Sequence, residues 1–162
     1  GFNPVNVGKL CLNQDTFVSC TPYGIMKMFE AYNIDLTGKN VTIIGRSNIV
    51  GKPLIQCCLN KNATVTVCHS KTENLSSITK KADILIVAIG KKHFVTKDMI
   101  KKGTVVIDVG INVEDGKIYG DVDFDDVKDK ASFLTPVPNG VGRMTVISLM
   151  NNVIKAYQEQ SK

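Results

Sequence analysis

The sequence predicts an α/β protein built on a doubly wound parallel sheet with helices on both faces. Three observations carry that prediction. Four short runs (residues 41–44, 64–68, 84–89 and 105–109) are rich in β-branched and aliphatic residues and stay apolar at successive positions, as strands covered on both faces do. Helix-forming or turn-forming stretches separate them, which suits right-handed crossovers between parallel strands. Three of the four runs close on a glycine, Gly45, Gly90 or Gly110, where the chain turns out of the strand.

The elements follow in order. Residues 1–10 read as an irregular lead-in broken by Pro4 and Gly8. Thr21-Pro22 reads as an N-cap followed by a first-turn proline, and Ile25, Met28, Phe29 and Tyr32 recur at helical spacing, so a helix is expected over 22–32. A turn at Leu36-Thr37-Gly38-Lys39 feeds the first strand. A helix over 51–60 with Leu54, Ile55, Cys58 and Leu59 as its buried face leads to the second strand, 64–68. Short helices over 75–81 and 97–101 precede the third and fourth strands. Residues 117–126 read as a polar, solvated turn, Phe133-Leu134 as a short extended piece, and 144–158 as a helix with Ile147, Met150, Val153, Ile154 and Tyr157 on one stripe.

Bulk properties exclude several classes. A chain of 162 residues with 43% hydrophobic and 22% charged residues is ordinary for one globular domain. The net charge of +5 is scattered, and the few aromatics (6%, no Trp) are not interleaved with it, so nucleic-acid binding is not indicated. No apolar run reaches membrane-spanning length, and no signal peptide is read. The five cysteines (Cys11, Cys20, Cys57, Cys58, Cys68) are odd in number and lack C-x-x-C spacing. That argues against a disulfide framework or a zinc site and for a reduced, cytosolic protein.

In an open parallel sheet, ligands bind beyond the carboxyl ends of the strands. Here those ends carry Gly45-Arg46-Ser47, His69-Ser70-Lys71-Thr72, Ala88-Ile89-Gly90 and Gly110-Ile111-Asn112. The strand–turn–helix segment Val41 to Pro53 would present backbone N–H groups to a phosphate, although Ser47 stands where a dinucleotide fingerprint has its second glycine. An NAD site places Asp or Glu about 20 residues past the glycine turn to accept from the ribose 2′-OH. The second strand contains no acid and ends in donors, and Arg46 supplies a planar cation suited to a phosphate. The pocket therefore favours NADP over NAD. His69 and His93 have no nucleophile or carboxylate partner in sequence, Asp108 reads as a structural acid, and the acidic group 121–126 lacks calcium-loop spacing. No catalytic and no metal-binding residue is assigned. The run Pro136-Val137-Pro138-Asn139-Gly140-Val141-Gly142 must follow a narrow backbone path just before the last helix.

The motifs Cys20-Thr21-Pro22-Tyr23-Gly24, Gly45-Arg46-Ser47 with Val50-Gly51-Lys52-Pro53, Cys68-His69-Ser70 with Thr72, Asp108-Val109-Gly110-Ile111-Asn112, Gly120-Asp121-Val122-Asp123 and Thr135-Pro136-Val137-Pro138 occur in that order over essentially the whole chain. Together they resemble the bifunctional methylenetetrahydrofolate dehydrogenase/methenyltetrahydrofolate cyclohydrolase family. The resemblance implies a Rossmann-type, NADP-binding domain. It further implies that Gly45, Arg46, Ser47, Ser70, Ile111 and Thr21 contact cofactor, with Arg46 and Ser70 on the 2′-phosphate. Pro138, Asn139, Gly140, Val141 and Gly142 would border tetrahydrofolate and nicotinamide. It also implies a cytoplasmic homodimer of two-domain subunits. Residues 1–20 would be a lead-in from a catalytic domain, 21–35 a connecting helix, 36–143 the cofactor domain and 144–162 a helix returning toward the other domain. The tyrosine–lysine pair and aspartate that carry the family's folate chemistry have no counterpart among these residues. Departures from the pattern are Asn139 for glycine, and Arg143, Ser19 and Lys92 for proline. The alternative is a standalone nucleotide-binding module, in which the helices over 22–32 and 144–158 pack entirely on their own sheet. A fragment would leave apolar faces of those helices uncovered.

Overall fold

The structure, a computed structural model, describes residues 1–161. Five parallel strands form the central sheet in the order β2-β1-β3-β4-β7, comprising β1 (Asn40–Ile44), β2 (Thr64–Cys68), β3 (Ile84–Val87), β4 (Val105–Asp108) and β7 (Phe133–Leu134). The register sets Val41 between Val65 and Ile84, and Ile44 between Cys68 and Val87. Successive side chains alternate between the two faces. Ile43, Ile84, Ile86 and Ile107 pack on one face with Ile25 and Phe29 of α2 (Cys20–Ala31) and with Leu54 and Cys58 of α3 (Gly51–Leu59). Ile44, Leu85, Val87 and Val106 face the other way. There they meet Ile78 of α4 (Leu75–Thr79), Ile100 after a short 3₁₀ turn (Lys97–Met99), and Val127 of α5 (Phe124–Val127). The sheet is thus doubly wound with helices on both faces. Each fully buried Ile, Leu or Phe in these layers stabilises the fold by roughly 1.5–3 kcal/mol relative to exposure.

Several local expectations are corrected. Residues 1–10 are not irregular, because Pro4–Cys11 forms helix α1. Asn3 caps it by accepting from the Val5 N–H at 2.9 Å, and Pro4 opens its first turn, a pair that reads equally well as a turn in sequence. Thr21 is not an N-cap. The cap of α2 is Ser19, and Thr21 lies inside the helix. In α3 the buried set is Leu54, Cys57 and Cys58, while Leu59 is exposed. Burial pushes the Cys57 thiol up to about 11 and the Cys58 thiol up to about 12, so both remain protonated core residues at neutral pH. Strand β2 lies at the sheet edge and alternates in exposure instead of being apolar on both faces.

The stretch 117–126 is the largest correction. It belongs to an antiparallel hairpin, β5 (Asn112–Glu114) with β6 (Lys117–Tyr119), turned by Asp115-Gly116 at φ of 49° and 73°. Val122 then bridges Val95, and Asp123 caps α5 by accepting from Asp126 N–H. Asp121, expected in solvent, is fully buried.

The last helix, α6 (Val141–Gln160), packs along α2. The Thr21 and Thr145 hydroxyls meet at 3.0 Å, Gly24 admits Met144, and Asn152 donates to the Val18 carbonyl. Helix α2 buries Ile25, Met26 and Phe29 in the chain's own core. By contrast, α6 leaves Val146, Ile147, Leu149, Met150, Val153, Ile154 and Tyr157 at least half exposed. No helix among the described residues is long and apolar enough to cross a membrane.

Candidate functional site

The strand order reverses between β1 and β3: the chain leaves β1 for β2 on one side and returns to β3 and β4 on the other. A crevice opens at such a reversal, beyond the carboxyl ends of the strands. Because the strands are parallel, all four predicted strand-end segments reach the same edge of the sheet.

The β1 end is shaped by close backbone approaches. Gly45 has φ of 121°, and a Cβ there would lie 2.3 Å from the Ala88 carbonyl oxygen. Only glycine satisfies both conditions. At Gly51 a Cβ would lie 2.4 Å from the Gly45 carbonyl oxygen, so this glycine lets α3 start against the turn it follows. Ser47 is the helix's surrogate cap. Its Oγ accepts from Val50 N–H at 3.1 Å and from Gly51 N–H at 3.4 Å, and its carbonyl accepts from Lys52 N–H at 2.9 Å. Pro53 has no N–H to offer. The expectation that the start of the helix itself meets a phosphate is therefore refined. The N–H groups of Arg46, Ser47, Asn48 and Ile49, in the turn before the helix, are the ones without a protein acceptor among the described residues. The exposed Arg46 side chain stands beside them, in no ion pair among the described residues.

At the end of β2, residues 69–72 fold into a small turn. Thr72 Oγ1 accepts from His69 N–H at 2.9 Å, and His69 Nδ1 accepts from Lys71 N–H at 3.2 Å. That acceptor role assigns His69 Nδ1 its lone pair and makes the ring a fixed part of the turn. Ser70 is left exposed, with no carboxylate in the turn.

The ends of β3 and β4 are organised by two buried acids. Asp108, at the end of β4, accepts from the N–H groups of Gly110, Asp121 and Val122 at 2.9–3.0 Å. Burial pushes its carboxyl up to about 6, against the downward pull of those three N–H groups and with the Asp121 charge adding to the rise. Asp121 in turn accepts from Ile89, Gly90 and Lys91 N–H and from Asn112 Nδ2. Gly110 and Gly120 fit tightly against these carboxylates, and a Cβ at either position would overlap one of them.

Beyond β4 lies a cleft of about 200 Å³ lined by Gly110, Ile111, Ile118 and residues 136–143. It brings predicted cofactor residue Ile111 together with predicted substrate residues Pro138, Asn139, Gly140, Val141 and Gly142. Asn139 holds a left-handed φ of 78°, consistent with its standing in a glycine's place, and accepts from Arg143 Nε at 3.1 Å. Two of the four departures from the family pattern thus bond to each other. Gly140 is required because a Cβ would lie 2.2 Å from the Pro136 carbonyl oxygen.

The structure therefore arranges the predicted residues in two groups along one sheet edge. Gly45, Arg46, Ser47 and Ser70 stand at β1 and β2, and Ile111 with residues 138–142 stands past β4. Thr21 joins neither group, since its hydroxyl is bonded into the α2–α6 contact. His93 lies at the hairpin, edge-on to Tyr119 and 4.0 Å from Asp123 Oδ2. Asp121, Asn112 and Gly51 were missed as site-building residues. Only the Gly45 to Gly51 spacing carried a readable signal, because a sequence does not show which buried acid meets which N–H.

Comparison with known proteins shows the chain's relatives. A family model described as the NAD(P)-binding domain of tetrahydrofolate dehydrogenase/cyclohydrolase matches residues 19–161. The bifunctional protein FolD of Bacillus subtilis (strain 168) is 59% identical over 157 residues, which are 96% of this chain and 56% of that protein. The FolD of Enterococcus faecalis is 59% identical over 161 residues, covering 99% of this chain and 57% of that protein. The chain thus spans a little over half the length of the curated relatives it matches. Among solved structures, the methylenetetrahydrofolate dehydrogenase/cyclohydrolase of Campylobacter jejuni superposes with a TM-score of 0.96 at 52% identity, covering 98% of this chain and 57% of that one. The Trypanosoma brucei enzyme, complexed with NADP cofactor and inhibitor, superposes at 0.94 with 35% identity, covering 99% of this chain and 58% of that one.

Proposed function

The chain belongs to the tetrahydrofolate dehydrogenase/cyclohydrolase family by its match to the NAD(P)-binding domain, and from that premise we propose that it is the NADP-holding part of a one-carbon folate enzyme. That enzyme oxidises 5,10-methylenetetrahydrofolate to 5,10-methenyltetrahydrofolate and hydrolyses the product to 10-formyltetrahydrofolate. The observation that carries the cofactor choice is the acid-free end of β2, with Ser70 exposed and Arg46 unpaired nearby among the described residues. A carboxylate there would repel a 2′-phosphate, whereas a guanidinium and a hydroxyl can hold one.

In this reading the open N–H groups of residues 46–49 receive the pyrophosphate, and Arg46 with Ser70 receives the 2′-phosphate. Gly45 and Gly51 keep the turn close enough for those contacts. Ile111 and residues 138–142 border the nicotinamide and the folate. When bound, NADP supplies the hydride acceptor. Residues 1–20 and 144–162 lead toward a catalytic domain, residues 21–35 connect to it, and residues 36–143 hold the cofactor. The uncovered apolar stripe of α6 supports that division, because such a stripe in water calls for a partner surface. The full enzyme is a homodimer of the cytoplasm.

Among the described residues the cleft holds no acid–base pair, so the chain alone binds NADP without turnover. Mixing it with 5,10-methylenetetrahydrofolate and NADP tests this by absorbance. No NADPH is expected, and its steady appearance would overturn the assignment of catalysis to residues outside this chain.

A further inference from the structure

The geometry points to Asp121 as a positioning residue that sets the nicotinamide side of the cofactor crevice from beneath. Three successive backbone N–H groups, those of Ile89, Gly90 and Lys91, converge at the end of β3. Such a run makes an anion-binding concavity of the kind that elsewhere receives phosphate. Here the chain fills it with its own carboxylate. Asp121 Oδ2 accepts from Ile89 at 2.7 Å and from Gly90 at 3.0 Å, and Oδ1 accepts from Lys91 at 2.7 Å. The same Oδ1 accepts from Asn112 Nδ2 at 2.9 Å, which ties down the segment after β4 that carries the exposed Ile111. One fully buried carboxylate therefore fixes the loops at the ends of two neighbouring strands.

Two features show that the arrangement is built around this group. Gly110 has no room for a Cβ, which would sit 2.2 Å from the Asp121 carboxyl carbon. The Asp121 N–H is itself held by Asp108 at 3.0 Å, so the backbone that carries the carboxylate is anchored by a further buried bond. An occupied concavity at β3 also leaves the turn at residues 46–49 as the place where an anion can dock. A dinucleotide lies across the reversal of strand order with its halves on opposite sides. The adenosine half then rests on the ends of β1 and β2, and the nicotinamide half rests on the loops that Asp121 holds. This inference rests on the dinucleotide reading above. Asp121 touches neither cofactor nor substrate and acts through Gly90 and Ile111.

The test compares two probes by calorimetry, NADP and 2′,5′-adenosine bisphosphate, which carries the adenosine half alone. Replacing Asp121 by Asn turns one acceptor oxygen into a donor facing N–H groups, and NADP affinity is expected to fall about tenfold or more while the bisphosphate stays within about twofold. Asn112→Ala removes one half-buried amide, which also donates to the Tyr119 carbonyl, and keeps the carboxylate on its three N–H groups. It is expected to weaken NADP alone by a few fold, and it carries the test if Asp121→Asn does not fold. Equal loss for both probes, or no loss for NADP in the folded variants, overturns the inference. A wild-type chain that binds neither probe overturns instead the dinucleotide reading on which it rests.

Discussion

Replacing Gly51 by Ala tests the most constrained point of the β1 turn. The added Cβ would lie 2.4 Å from Gly45 O, 2.7 Å from Arg46 Cα and 2.9 Å from Gly45 C. All three are backbone atoms, so relief requires the start of α3 to back away from the turn by several tenths of an ångström. Overpacking of this kind costs about 1–3 kcal/mol. Alanine returns up to about 1 kcal/mol of helix propensity at an interior position, and less in a first turn. The net loss is about 1–2 kcal/mol, which for a domain of this size lowers Tm by roughly 2–8 °C. The movement also displaces the N–H groups of residues 46–49, so NADP affinity should fall by about tenfold, the equivalent of one or two weakened hydrogen bonds to a charged group. Gly8→Ala is the control. No atom lies within 4 Å of its Cβ position and it sits inside α1, so the same substitution there should be neutral or stabilising. Thermal melts by circular dichroism with NADP calorimetry read both quantities. A Gly51→Ala protein with wild-type Tm and wild-type affinity would refute the close-approach argument.

Three further predictions follow from the same geometry. Asp108 is raised from 3.8 to about 6 in the fold, so its folded form binds a proton more tightly than the unfolded chain does. Its contribution is fully present below the ordinary carboxylate range and is lost as pH rises through about 6, a span of about 3 kcal/mol at 1.36 kcal/mol per unit. Denaturant melts of Asp108→Asn should show that slope removed, on a baseline about 1–3 kcal/mol lower because one of the two oxygens that accept from the three N–H groups has become a donor; an unchanged pH dependence contradicts the assignment. Phe29→Ala should cost about 3–5 kcal/mol, since α2 buries that ring against the chain's own sheet. Met150→Lys, on the uncovered stripe of α6, should change stability by less than about 0.5 kcal/mol in the chain alone. A large loss for Met150→Lys would mean that the stripe is covered within this chain.

The central strands of the sheet were legible because they are continuous apolar runs, and β2 was read to the residue from its richness in β-branched residues, although it alternates in exposure. The NADP reading rests on a missing acid, which is a local property of one strand end. What escaped depends on partners distant in sequence. Asp121 sits among acidic residues that look solvated until the 89–91 loop folds over it. The hairpin was hidden because its strands have three residues each, too few to show alternation, although Asp115-Gly116 marks its turn. Helix α1 was missed because Asn3-Pro4 and Gly8 are turn formers by composition, and only the bond from Val5 N–H shows a cap. The α6 stripe has the periodicity of a core helix, and its exposure was expected from the family resemblance for a fragment; the same expectation for α2 fails, because Ile25, Met26 and Phe29 are buried in the chain's own core.

The central claim is that Arg46 and the acid-free end of β2 hold a 2′-phosphate. The most direct measurement is the ratio of NADP to NAD affinity in the wild type and in Arg46→Ala, taken at constant ionic strength because the contact is electrostatic. The wild type should prefer NADP. Arg46→Ala should lose about 1.5–3 kcal/mol of NADP binding, the value of a hydrogen bond to a charged group, while NAD affinity stays nearly unchanged. A wild type that binds both cofactors equally, with no selective loss in the variant, would contradict it.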